Sequence, residues 1–168
     1  CWEKNIADNL RLIKKIKDLG PSIQYDVYGD GSDIGQLYYL LDLYGLNDVV
    51  NVMGKVKNSI IKSNIRNYDF VLQLSHSEAF PTSILEAQSH GVPAIVSKAG
   101  GLPELVCGEK NGLIGDFDGL ESLAIKTVNL WNDKNQYFTF SKLSIKNTQD
   151  NYNIREEVNS LVSLYNNL

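Results

Sequence analysis

Residues 75–96, SHSEAFPTSILEAQSHGVPAIV, hold the densest candidate chemistry in this 168-residue chain: two carboxylates, Glu78 and Glu86, eight positions apart across a Phe80-Pro81 step. Pro81 near the first position and Gly91 just past the end mark a helix. Glu78 then falls in the loop before it and Glu86 on it. At about 1.5 Å rise per residue, Glu86 stands roughly 7 Å along the axis from Pro81, with Thr82 and Ser83 one turn below on neighbouring faces. Free N–H groups from Phe80 to Ser83, at the positive end of the helix dipole, read as a seat for a phosphate or diphosphate. A carboxylate at Glu86 can then accept both hydroxyls of a ribose. Glu78 reaches the other end of the diphosphate, where a transferred group would lie. The plain alternative is that Glu78 only favours the helix N-terminus, by a few tenths to about 1 kcal/mol, and that Glu86 is a solvated helix residue. Spacing by itself leaves both readings open.

The elements that must position these acids follow from hydrophobic pattern. YDFVLQLS (68–75) is the most apolar strand, so residues 75–80 form the loop at its carboxyl end, where open α/β sheets place their ligands. Upstream, residues 4–19 carry Ile6, Leu10, Ile13 and Ile16 at helical spacing and stop at Gly20-Pro21. Strand 23–29, a helix over 32–46 opened by Ser32 or Asp33, strand 48–54 and a short helical piece near 58–66 come next. After the motif come VPAIVS (92–97), GGLPELV (100–106) and NGLIGD (111–116), then helices over 118–132, around 135–147 and over 153–167. The alternation suits βαβ units. It predicts one α/β domain over 1–168: a Rossmann-like open parallel sheet with helices on both faces, the helices from about 118 packing on it. Such a sheet normally begins with a central strand, whereas this sequence begins on a helix, so the first strand is expected to be missing.

Composition narrows the function classes. Sixteen basic against twenty acidic side chains give a formal charge of −4, which argues against nucleic-acid binding by bulk phosphate neutralisation. Cys1 and Cys107 are too few for a disulfide framework and stand in no CxxC or Cys/His cluster, so no metal is expected and a reducing compartment is. No apolar run approaches membrane-spanning length and no leader pattern opens the sequence. The reading is a cytoplasmic protein whose membrane contact, at the inner membrane face, is at most indirect. His76 and His90 invite a base assignment, but His90 sits at a helix end beside Gly91 and neither is assigned one.

The text around the acids, SEAFPTSILEAQSHGVPAIVSKAGGLPELV, closely resembles the E-x7-E signature and following GGxPE segment of retaining GT-B glycosyltransferases, in particular family 4. YDVYGDGSD is similar to that family's strand-then-GDG segment, VVNVMGKV to the strand and loop near the nucleotide base, NGLIG to the short strand after GGxPE, and EKNI to its lysine motif. The likeness covers roughly residues 3–120, and REEVNSLVSLYNNL is similar to the family's terminal helix.

The resemblance implies the C-terminal, donor-binding half of a GT-B fold. In that reading Glu86 binds the ribose of a nucleotide sugar, Glu78 lies by the donor sugar as the catalytic candidate, and backbone amides at Ala79, Phe80 and the residues after Pro81, Thr82 first, receive phosphate. Lys4 pairs with the diphosphate as a point charge. Gly29, in the GDG segment, joins the donor-binding set, and Gly100 and Gly101 allow a close backbone approach. Glu104 polarises the start of its own helix. The substrate implied is a UDP- or GDP-linked sugar, transferred with retention to a polysaccharide or lipid-linked acceptor, with no cofactor or metal. The family's first strand, its second diphosphate cation (an arginine) and its N-terminal acceptor domain have no counterpart in these residues. The chain by itself is therefore expected to be an incomplete, poorly active piece, since only Lys4 and the helix N-terminus offset leaving-group charge. Rival readings are a non-catalytic nucleotide-binding or interaction module, a GT-B-shaped epimerase or phosphorylase, and a dinucleotide-binding oxidoreductase suggested by Gly29, Gly31 and Gly35. The last lacks the acid that should end the next strand, where Asn51 and Met53 stand.

Overall fold

The computed structural model describes residues 2–153, 158 and 162–165. Its first helix, α1 (Ile6–Asp18), starts two residues later than the 4–19 pattern suggests, because Asn5 takes a left-handed conformation and its side chain caps the Asp8 N–H at 3.4 Å. Lys4 is thereby left in a short 3-10 turn ahead of the helix. Strand β1 (Tyr25–Tyr28) follows, then α2 (Ile34–Tyr44), closed by Gly45 at φ +62°, and β2 (Val50–Gly54). Next come α3 (Asn58–Asn64), β3 (Val71–Gln73), α4 (Thr82–Ser89), β4 (Ala94–Ser97), the one-turn α5 (Leu102–Leu105) and β5 (Gly112–Gly115). Helices α6 (Leu120–Asn132) and α7 (Lys134–Asn151) complete the described elements. The last predicted helix, over 153–167, falls mostly outside the described residues.

All strand pairs are parallel, as the βαβ pattern predicts, but they form two sheets: β1 with β2, and β3-β4-β5. No described strand joins β1 to β3. Between them lies a cleft of about 400 Å³, bordered by Ile23 and Tyr25 on one side, Phe70 and Leu72 on the other, and roofed by Ile13 and Ile16 of α1. The split leaves one edge of β3 unpaired among the described residues. It also corrects the expectation for 68–75: the hydrogen-bonded strand is only three residues long, and Val71 and Leu72 are half-buried because one edge of β3 faces the cleft. β4, flanked on both edges, is buried throughout.

Alternation along β4 shows how the layers form. Ile95 points into a cluster with Leu12 and Ile16 of α1, Leu123 and Leu130 of α6 and Phe140 of α7. Ala94 and Val96 point the other way, onto Ile84 of α4 and Leu102 and Leu105 of α5. Helices therefore cover both faces, as predicted. A third cluster packs α1 and α2 onto β1 and β2 through Leu10, Leu37, Leu41 and Val50. Each fully buried leucine contributes about 1.5–3 kcal/mol relative to exposure, so α1, which shares its leucines between two clusters, helps to hold the two sheets together.

Helix α7 is longer than the 135–147 pattern predicts, and its N-terminus is capped by Asp133, which accepts from the Gln136 N–H at 3.0 Å. It braces α4: Gly91, just past the end of α4 at φ +81°, sits against α7, where a Cβ would stand 2.8 Å from Ser141 Oγ. Buried amides from Gln88, Asn111 and Asn147 converge on the Leu105 carbonyl at 3.1, 2.9 and 3.3 Å, tying α4, α7 and the approach to β5 to the end of α5.

Candidate functional site at the carboxyl end of β3

The chain leaves β3 through buried Leu74 and Ser75 and rises to the exposed loop before α4. Two buried polar groups fix that exit. Ser97, at the end of β4, donates to the Ser75 carbonyl at 2.6 Å. Asn9 of α1 accepts from the Leu74 N–H at 3.1 Å while its own amide donates to the carbonyls of Lys4 at 3.0 Å and Asn5 at 2.9 Å. One asparagine thus ties the turn that carries Lys4 to the strand that carries the loop. The Glu3 carbonyl adds a bond from the His76 N–H at 2.8 Å.

Glu78 and Lys4, 74 positions apart in the sequence, meet as a result. Lys4 Nζ pairs with Glu78 Oε2. Gln73, at the last position of β3, donates from Nε2 to the same oxygen at 2.6 Å and to Ser75 Oγ at 3.2 Å, while its Oε1 accepts from Ser83 Oγ at 3.3 Å. The Glu78 side chain is 15% exposed and that of Lys4 56%, so the acid is sheltered and the cation open to solvent.

Glu86 stands on α4, half-buried, with Lys62 of α3 at 3.3 Å. Its carbonyl contacts His90 Nδ1 at 2.8 Å, which gives that histidine a structural place at the helix end. The start of α4 differs from expectation in one respect. Pro81 is buried and occupies the N-cap, and the Thr82 N–H is turned back onto the Phe80 carbonyl at 3.0 Å instead of standing free. Ala79 and Phe80 are exposed ahead of it, and the Phe80 ring lies 6.1 Å from that of Tyr152.

Gly100 and Gly101 do make a close backbone approach, and its target is the loop itself. A Cβ on Gly100 would lie 1.8 Å from the Glu78 carbonyl oxygen, one on Gly101 2.5 Å from that of Ala79, and the Gly101 N–H donates to the Glu78 carbonyl at 3.0 Å. Gly29 lies past the end of β1, in the other sheet, with its N–H on the Gly54 carbonyl at 2.8 Å and not on the Glu78 loop. Glu104 lies in the first turn of α5. Gln73, Asn9 and Lys62 were not among the sequence candidates. A polar residue inside an apolar strand, as Gln73 is, was the one available signal, since buried polar groups are the informative exceptions.

Among the described residues no group of three His, Cys, Asp or Glu side chains is placed to hold a metal ion, and no helix is long and apolar enough to cross a membrane. What the site offers is two carboxylates on either side of a helix start, each with a lysine beside it, at the carboxyl end of a parallel strand.

The family model described as "Glycosyl transferases group 1" matches residues 2–147. The phosphatidylinositol N-acetylglucosaminyltransferase gpi3 subunit of Schizosaccharomyces pombe is 30% identical over 105 residues, 62% of this chain and 23% of that protein. The N-acetyl-alpha-D-glucosaminyl L-malate synthase of Bacillus anthracis is 22% identical over 166 residues, 94% of this chain and 43% of that protein. The chain thus spans less than half the length of these curated relatives. Among solved structures, Anabaena Alr3699/HepE in complex with UDP and glucose superposes with a TM-score of 0.82 at 20% identity, covering 96% of this chain and 45% of that one. The S. aureus TarM mutant bound to UDP gives 0.85 at 17% identity, covering 98% and 33%. These likenesses show the fold, an α/β GT-B glycosyltransferase architecture.

Proposed function

Because the chain belongs to the glycosyl transferases group 1 family, we propose that it is the donor-binding domain of a retaining, family 4-like hexosyltransferase, which holds a nucleotide-diphosphate sugar for transfer to a polysaccharide or lipid-linked acceptor. The observation that carries this reading is the meeting of Lys4 with Glu78 in front of the helix that bears Glu86. In this reading Glu86 accepts the ribose hydroxyls, Lys4 faces the diphosphate, and Glu78 accepts from a hydroxyl of the sugar. As the glycosidic bond breaks, negative charge grows on the diphosphate, and the Lys4 ammonium and the N-terminal turn of α4 oppose it. In this reading the acceptor is presented by a second domain that faces this one.

UDP is the favoured nucleotide, since the UDP complexes named above share this fold. Calorimetric titration with UDP, GDP and ADP and their sugar conjugates, wild type beside Glu86→Ala, tests the reading. Binding of the UDP series that is lost in the variant is the expected result. A folded protein that binds no series, or binds one equally with and without Glu86, would overturn it.

A further inference from the structure

The two oxygens of the Glu78 carboxylate are not equivalent. Oε2 receives both the Lys4 ammonium and the Gln73 amide, whereas Oε1 has no hydrogen-bond partner among the described residues. A carboxylate can only accept, so the end of Gln73 that faces it must be the NH2 group, and the other end is the carbonyl that takes the Ser83 hydroxyl. Gln73 is 9% exposed and sits at the last position of a hydrogen-bonded strand, so its amide is aimed by the sheet and not by a mobile loop.

We propose that Gln73 is the positioning residue of the donor site: it fixes the Glu78 carboxylate through Oε2, ties it to the start of α4 through Ser83, and leaves Oε1 as the acceptor for a hydroxyl of the donor sugar. This rests on the donor-site reading given above. Three elements are joined by the one amide: β3, the loop before α4, and α4 itself. Lys4 cannot replace it. A half-exposed lysine holds Glu78 by charge from the solvent side, with three rotatable donors, and is free to turn toward a diphosphate when one arrives. When it does, Gln73 keeps the carboxylate oriented. A Glu78 that is not held would have to be ordered by the sugar, at a cost in affinity confined to ligands that carry one.

The test is a double-mutant cycle in the full-length protein, with Gln73→Met, Glu78→Gln and the double variant, read as the ratio of affinity for a UDP-sugar to affinity for UDP alone. UDP-glucose and UDP-N-acetylglucosamine are the first probes, with the GDP and ADP conjugates in parallel. A hydrogen bond to a charged group supports a loss of roughly tenfold or more in that ratio for Gln73→Met, with UDP affinity changed by less than about threefold. In the Glu78→Gln background the same substitution should cost little further. Equal losses for UDP and UDP-sugar, or losses that multiply in the double variant, would overturn the proposal by making Gln73 merely structural. Should Gln73→Met fail to fold, Gln73→Glu keeps the side-chain volume while setting like charges together, and it must lower the same ratio. A wild-type protein that binds none of the nucleotide sugars removes the donor-site reading itself, and this inference with it. A wild type with a clear ratio that the Gln73 variants leave unchanged removes this inference alone.

Discussion

Gly100 and Glu78 are packed backbone against backbone: a methyl group on the glycine would lie 1.8 Å from the Glu78 carbonyl oxygen, and the glycine itself adopts φ +51°. Both facts exclude a side chain. The loop carrying the candidate sugar-side acid is therefore seated on the turn after β4, and Gly101 completes the seat by donating to the same carbonyl. Gly100→Ala should destabilise the fold by about 1–3 kcal/mol from the backbone strain, with displacement of the Glu78 loop besides. Urea unfolding at fixed slope measures this, and a variant with wild-type stability would show that the loop has another resting place.

The two lysine–carboxylate pairs should separate in function. Lys62 and Glu86 are both partly solvated, so Glu86→Ala and Lys62→Ala should each change stability by no more than about 1 kcal/mol. On the proposed donor-site reading, in which Glu86 accepts from the ribose, nucleotide affinity should fall by roughly tenfold or more only in Glu86→Ala. Calorimetry on the two variants decides. Equal losses would make Lys62 part of the binding site.

The split between the sheets predicts a pattern of amide exchange. Val71 donates to the Pro93 carbonyl and Tyr25 to that of Val49, so by the alternation of a parallel ladder the N–H groups of Leu72 and Asp26 point away from their partners and toward the cleft. In the 168-residue chain these two amides should exchange much faster than those of Val27 and Gln73. Slow exchange at both would mean that the sheets are joined in solution.

Alkaline stability should depend on Tyr25. Burial pushes its phenol up to about 12 from an ordinary 10. The folded state thus holds a proton that the unfolded chain releases above pH 10, so the stability it contributes is full below pH 10 and is lost as pH rises toward 12. Urea midpoints of wild type and Tyr25→Phe should therefore converge, or cross, between roughly pH 9.5 and 11.5, with the wild type falling faster. Parallel curves would show that Tyr25 ionises freely in the fold.

Most of the fold was legible because its signals are local. The helical spacing of Leu10, Ile13 and Ile16 places α1 within a residue or two, Gly91 ends α4 where glycine should, and the run 92–97 holds a strand, Ala94–Ser97, that is buried on both faces. The two acids were legible too, as residue types at a spacing, with a resemblance to give them roles. The failures have a common cause. The run 68–75 looks uniformly buried, yet β3 is short and half-exposed because burial depends on which strand lies alongside, and that is a matter of sheet order.

Sequence by itself determined the order of the described elements, the parallel sense of the strands, and the presence of Glu78 and Glu86 on either side of a helix start. Only the tertiary structure decided that Lys4 reaches Glu78, that Gln73 and Asn9 fix the two ends of that pair, that Lys62 stands beside Glu86, and that the Thr82 N–H is turned inward. Periodicity reports on neighbours three or four residues away, which the chain itself holds in place. A bond between groups 65 or 74 positions apart forms only once packed helices and paired strands have fixed where each backbone ends, and no local pattern carries that information.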